Sequence, residues 1–97
     1  MTAKYEKYKN ANEFGKALGL SEIEMELIRQ KKRIIEKLRR ARERKGVSQT
    51  QLAEMVSSKQ PSIARMESGQ VSEVSLDFLC KVALALEVSF TVKPVAA

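Results

Sequence analysis

The clearest hydrophobic pattern in the chain lies within residues 48–69, where two short stretches carry apolar residues at helical spacing. Each stretch predicts a short helix with one narrow buried face. The inward positions are Leu52, Ala53 and Val56 in the first stretch and Ile63 and Met66 in the second. The two predicted helices are separated by only three residues, Ser57, Ser58 and Lys59. This length is enough for a sharp bend between crossing helices. The pattern predicts a helix-turn-helix motif.

A long helix is predicted before this motif. A capping box of Ser21 and Glu24 marks its start, and Gly46 is a natural C-terminal cap. Its apolar positions keep helical spacing and are Ile23, Leu27, Ile34, Leu38 and Ala41. The helix could break near Gln30, because nothing in the sequence forces continuity. A second capping box, Ser48 with Gln51, predicts the start of the first motif helix.

The chain after the motif predicts one more helix and then a β-strand. Ser75 is the expected cap of the helix, whose apolar positions are Leu76, Leu79, Val82, Ala83 and Leu86. Cys80 lies in the same apolar run and is expected to be a buried thiol. Val88, Phe90 and Val92 then alternate as in a strand. This strand either packs against its own helices or, because a lone strand lacks a ladder, pairs with another chain. That pairing would be across a two-fold axis, which forms a dimer, or with a partner's sheet.

Three segments follow from these patterns. Residues 1–20 are expected to be a flexible N-terminal segment, residues 21–87 the helix-turn-helix domain, and residues 88–97 the C-terminal strand and tail. The predicted fold class is all-α, a helical bundle with an N-terminal helical extension and a C-terminal β-strand.

Composition narrows the function. The chain has 97 residues, a formal charge of +6, 43% hydrophobic residues, no histidine and one cysteine. The charge favours an anionic partner, and the shortage of ligating side chains argues against a metal, a cofactor or redox chemistry. No nucleophile and base pair or phosphate-binding glycine loop is visible, so we expect no enzyme. Neither a signal peptide nor a membrane span is apparent, which predicts a cytoplasmic protein.

Polar side chains of the second motif helix are the candidate DNA-reading residues. They are Lys59, Gln60, Ser62 and Arg65. Glutamine and arginine pair bidentately with adenine and guanine edges in the major groove. The alternative interpretation is an ordinary exposed polar face.

The segment from about Ile34 to Leu86 resembles the Cro/phage-repressor family of helix-turn-helix proteins, also called Xre-like or lambda-repressor-like. The matching features are Arg42, Gln49, the Leu52-Ala53 pair, Ile63 and the Glu67-x-Gly69 ending. The resemblance implies that Gln49 contacts a phosphate, that Lys59, Gln60, Ser62 and Arg65 line the base edges, and that Arg42 and Glu67 form a structural ion pair.

The turn departs from the family pattern. Ser57 and Ser58 stand where the family prefers glycine and an apolar residue, so a left-handed residue there would be strained. Lys59 cannot accept a hydrogen bond at the cap position, and Ser58 could cap one residue earlier. Pro61 then fits the first turn of the helix.

The run from Arg29 to Lys45 is strongly basic. In this fold the helix before the motif lies near the DNA backbone, which makes Arg39, Lys45 and Ser48 further candidates for phosphate contacts beside Gln49. The alternative is a solvated helix face.

We therefore expect a repressor that binds double-stranded DNA at a palindromic operator as a homodimer. The layout also resembles HigA-like antitoxins, which implies a RelE/HigB-family toxin as a possible partner, bound by the N-terminal segment or the basic helix. Two alternatives stay open: a free-standing repressor of the same family, and an RNA- or protein-interaction module that uses the basic helix.

Overall fold

The computed structural model describes residues 13, 19 and 21–92, and residues 21–92 form four α-helices and one short 3-10 turn. They are α1 (Glu22–Arg44), α2 (Gln49–Met55), α3 (Gln60–Glu67), the 3-10 turn (Val71–Glu73) and α4 (Leu76–Leu86). The predicted all-α class is confirmed for these residues. The expectation of a flexible segment over residues 1–20 lies, apart from residues 13 and 19, outside the described residues.

Helix α1 begins and ends where its local sequence predicts. The Ser21 hydroxyl accepts from the backbone N–H of Glu24 at 3.0 Å, and the Glu24 carboxylate accepts from the N–H of Ser21 at 3.1 Å. Gly46, with φ of +68°, follows the last turn. The helix is continuous through Gln30, whose side chain is buried and donates to Glu26 at 2.8 Å. At 1.5 Å per residue, α1 is roughly 34 Å long.

One hydrophobic core joins the four helices. Its fully buried side chains are Leu38 of α1, Leu52 of α2, Ile63 and Met66 of α3, and Leu79, Val82 and Leu86 of α4. Burying each of them contributes about 1.5–3 kcal/mol, so the core is the main source of stability. Ala53 is also buried at the crossing of α2 and α3, as its small size predicts. Val56 is only partly buried at the edge.

Several apolar residues expected in the core are instead exposed. Ile23 is 83% exposed and Leu27 42%, because the first turns of α1 extend past the core. Leu76 is 38% exposed at the start of α4. Cys80 is exposed as well, so its predicted burial is wrong. Helix α4 turns Leu79 inward, and Cys80, one residue and about 100° further round, consequently faces outward.

The predicted C-terminal β-strand is not formed within the described residues. Val88 and Phe90 are partly buried and pack against the core, while Val92 is 52% exposed. The ammonium of Lys37 donates to the carbonyl of Ser89 at 2.6 Å and holds this segment beside α1. Within this chain, the segment packs against its own helices, which is one of the two expected arrangements. It does so without a ladder, since no second strand lies beside it in residues 21–92.

Candidate nucleic-acid interface

The turn between α2 and α3 sets the angle of the second motif helix. Ser57 has φ of +55°, and the N–H of Ser58 donates to the carbonyl of Ala53 at 2.8 Å. This is the hydrogen-bond pattern of a Schellman motif, with serine at the position that usually holds glycine. The left-handed conformation costs roughly 1–2 kcal/mol for a residue with a side chain, as the sequence predicted. Ser58 does not cap α3; Lys59 is the N-cap residue and makes no side-chain cap bond.

The motif is tied to α1 by one ion pair. Arg42 Nε donates to Glu67 Oε2 at 2.6 Å, and Arg42 Nη2 donates to Glu67 Oε1 at 2.9 Å. The two side chains are only 12% and 6% exposed. A third bond, from Arg42 Nη1 to the carbonyl of Val47 at 2.8 Å, fixes the loop before α2. The hydrogen bond to Glu67 raises the pKa of Arg42 above its usual value, against the opposing effect of burial. The Arg42 and Glu67 contact predicted from the sequence is present.

Two glutamines extend this ion pair to the protein surface. Gln49 Nε2 donates to Glu67 Oε1 at 2.9 Å, and Gln49 Oε1 accepts from Gln60 Nε2 at 2.8 Å. The first residue of α2 therefore holds the first residue of α3. In this network each side chain restrains the next one, from the partly buried Arg42 to the exposed Gln60.

The remaining hydrogen-bonding groups of Gln60 suit a base edge. One N–H of its amide is used by Gln49, which leaves the second N–H and the carbonyl oxygen directed to other partners. A donor and an acceptor on one planar amide are what an adenine edge requires in the major groove. The network thus restrains an amide whose remaining donor and acceptor have the chemistry that an adenine edge requires.

The other predicted base-contacting residues lie on or beside the same helix. Lys59 and Arg65 are exposed, and Arg65 Nε makes only a long bond, 3.4 Å, to the carbonyl of Pro61. Ser62 is partly buried and lines a cleft of about 360 Å³ between α3 and the start of α4, together with Arg65 and Phe78. Hence Lys59, Gln60 and Arg65 are the most accessible of the four, and Ser62 sits at the edge.

The predicted phosphate-contacting residues differ in their exposure and in the hydrogen bonds and ion pairs that they already make. Lys45 is exposed at the end of α1. The Ser48 hydroxyl accepts from the N–H of Gln51 at 3.0 Å and keeps its own proton for another acceptor. Arg39 already binds two carboxylates on its own helix, Glu36 at 2.6 Å and Glu43 at 3.2 Å. Phosphate would have to compete with both of them.

Sequence reasoning missed the role of Gln49 as the link between Glu67 and Gln60. The residues are 18 and 11 positions apart in the chain, and no local pattern signals such a contact. It also missed Lys31, whose ammonium donates to the carbonyl of Val74 at 2.7 Å and fixes the loop between α3 and α4.

A metal-binding group or a membrane-spanning helix among the described residues would indicate another function. No group of three His, Cys, Asp or Glu side chains among them could hold a metal ion. None of the helices in the described part of the chain has the length and apolar character needed to cross a membrane.

Comparison with known proteins gives one match. The family model described as helix-turn-helix matches residues 38–93, which is more than half of the chain and includes α2, α3 and α4. No curated protein and no solved structure matches significantly.

Proposed function

Since the chain belongs to the Cro/phage-repressor (Xre-like) helix-turn-helix family and is a DNA-binding transcription regulator, we propose that it is a repressor that binds a palindromic operator as a homodimer. The observation that carries this proposal is the network from Arg42 through Glu67 and Gln49 to Gln60. It holds an amide ready for a base edge beside the exposed Arg65, and a restrained reading group loses less entropy on binding. Repression then follows from occupancy of the operator.

Replacing Arg65 with alanine tests the base-reading role. We expect operator affinity to fall about 5- to 150-fold, which corresponds to about 1–3 kcal/mol, with little change on random duplex. The operator fragment is obtained by selecting duplexes from a random pool with the wild-type protein, and both affinities are measured by fluorescence anisotropy. Arg29→Ala is the matched control, because Arg29 is an exposed arginine near the start of α1 that lies outside the motif and pairs with Glu26 on its own helix. Equal losses on operator and random duplex would remove Arg65 from base reading.

The outward face of α4 supports the homodimer. Leu84 is 80% exposed, and it shares this face with the exposed Cys80 and with Leu76. Asp77 and Lys81 are exposed at the side of these apolar residues. A second copy related by a two-fold axis could therefore place each acid opposite the base of the other copy. We propose this face, rather than residues 88–92, as the dimer contact, because Val88 and Phe90 already pack on their own core.

A second role, as the antitoxin of a RelE/HigB-family toxin, is favoured by the first turns of α1. Residues 22–37 precede the family match. There Ile23 and Leu27 continue the apolar stripe of α1 beyond the core and remain exposed. Apolar side chains at such a position suit a protein partner, since helical recognition uses anchors at this spacing. We propose that this end of α1 contributes to toxin binding.

The antitoxin role is tested with the product of the reading frame adjacent to this one. If that product is a toxin ribonuclease, we expect the wild-type chain to suppress its RNA cleavage and to elute with it as one complex. The double variant Ile23→Asp, Leu27→Asp should lose suppression and keep operator affinity. Uninhibited cleavage in the presence of excess wild-type chain would leave the free-standing repressor as the function.

A further inference from the structure

Four basic residues form a stripe along the solvent side of α1. They are Arg33, Lys37, Arg40 and Arg44, and we call them the basic stripe. Their spacing of four, three and four residues keeps them on one side of the helix. Together with Lys32 and Glu36 they line a shallow groove of about 530 Å³. Five cations and a single carboxylate therefore surround one groove.

This stripe does not face the same way as the base-reading residues. Arg42 marks the side of α1 that contacts Glu67, and Arg39 lies on the flank next to it. At 100° per residue, the stripe lies about 100–160° further round α1 than Arg39. Its other border is the C-terminal segment, since Lys37 binds the carbonyl of Ser89. An operator duplex held by α3 consequently leaves the stripe open to solvent.

The charge of the stripe is largely uncompensated. Arg33 and Arg44 are exposed and make no ion pair within residues 21–92. Lys37 bonds to a neutral carbonyl, so its charge is not balanced there. Among residues 21–92, Arg40 is the one member of the stripe that pairs with a carboxylate, Glu36 at 3.0 Å, and Arg40 is still 69% exposed. The hydrogen bond from Arg39 lowers the pKa of Glu36, which keeps that single carboxylate ionised.

The lining favours a phosphodiester chain over a protein surface. All six side chains around the groove are charged, whereas the centres of protein interfaces are depleted in lysine and rely on aromatic or apolar anchors. Contacts to nucleic-acid backbones, in contrast, are made mainly by lysine and arginine. The stripe extends over 12 residues, or roughly 16 Å from first to last, and a strand of B-DNA places a phosphate every 3.4 Å along its axis.

We propose that the basic stripe is a second nucleic-acid site, which binds the phosphodiester backbone of a strand other than the operator, without sequence preference. The base-reading face and the stripe then hold two nucleic-acid segments at once. This role goes beyond operator recognition. The stripe begins before the family match with Arg33 and Lys37 and continues into it with Arg40 and Arg44.

The test uses a preformed operator complex. The selected operator duplex is immobilised and saturated with protein, and a labelled 20-bp duplex of random sequence is then added at 50–200 mM salt. Four phosphate contacts predict a slope of log affinity against log salt of about −3.6, so the fourfold rise in salt should weaken capture about 150-fold. Arg33→Gln with Arg44→Gln should halve that slope and leave occupancy of the operator unchanged.

A matched variant distinguishes the effect of the stripe residues on capture of the second duplex from the effect of net charge. Ile23→Glu with Met55→Glu lowers the net charge by the same two units at exposed positions away from the stripe. It should capture the second duplex as the wild type does. A labelled 20-nucleotide RNA, added in place of the duplex, shows whether the bound backbone is DNA or RNA; capture of either probe supports the proposal.

Two results would overturn it. One is that the wild-type complex captures neither duplex nor RNA above the level of the Arg33→Gln, Arg44→Gln variant. The other is that the matched variant loses capture to the same extent, because the effect would then reflect net charge alone. Saturation of the immobilised operator is recorded separately, so a failure of operator binding is distinguished from a failure of the stripe.

Discussion

Glu67→Ala is expected to lower the free energy of unfolding by about 3–5 kcal/mol, since it leaves the guanidinium of Arg42 partly buried without its carboxylate. The side chains of Arg42 and Glu67 are 12% and 6% exposed, so water can compensate only in part. The same substitution removes the acceptor of the Gln49 amide. For a domain of this size, such a loss corresponds to a fall in Tm of at least about 12 °C.

Thermal unfolding followed by circular dichroism measures this effect. Glu43→Ala is the control, because Glu43 is a half-exposed glutamate that pairs with Arg39 on the surface of α1 and should contribute less than about 1 kcal/mol. Glu67→Gln keeps the shape and one acceptor and should lie between the two variants. A Tm of Glu67→Ala within 2 °C of that of Glu43→Ala would contradict a stabilising role for the buried pair.

Leu84→Glu is expected to give a folded monomer whose operator affinity is about 100-fold or more below that of the wild type. Leu84 is 80% exposed in the single chain, so a carboxylate there does not disturb the core. In a two-fold dimer through α4, the two carboxylates would be buried close together, which strongly opposes association. Without the dimer, the second half-site is no longer bound at a high effective concentration.

Sedimentation velocity and operator titration are the two measurements for this variant. Ile23→Glu is the control. It introduces a glutamate in place of an equally exposed apolar side chain on α1 and should leave the dimer intact. If Leu84→Glu sediments as a dimer as tight as the wild type, the interface is not on α4. In that case the interface lies on the C-terminal residues or on α1. Truncation after Glu87 distinguishes them, because it removes the C-terminal residues and leaves α1 unchanged.

Helix boundaries could be predicted from the sequence because they depend on near neighbours. Ser21, Ser48 and Ser75 each cap a helix, and each cap involves a residue three positions later. Gly46 and Gly69 adopt positive φ at helix ends for the same local reason. The Arg42 and Glu67 pair was also predicted, although through the family resemblance and not through spacing.

The exposure of Cys80 and the path of the residues after α4 could not be predicted in this way. Periodicity correctly placed Leu79, Val82, Ala83 and Leu86 in the core, but the run LDFLCKVALAL is apolar on nearly every side, so the exposed Cys80 was expected to be buried with them. The alternation of Val88, Phe90 and Val92 fits a strand. The path of this segment depends instead on its packing against the core and on the bond from Lys37 of α1 to Ser89. Side-chain packing between distant segments is a non-local property that a periodic pattern does not contain.

The sequence by itself therefore determined the four helices, the serine caps of α1, α2 and α4, and the polar residue types along α3. Tertiary structure alone decided that Gln49 links Glu67 to Gln60, and that the basic stripe lies away from that face. The physical reason is range: caps and periodicity act over three or four residues, whereas the glutamine network and the direction of the stripe depend on how α1, α2 and α3 pack together.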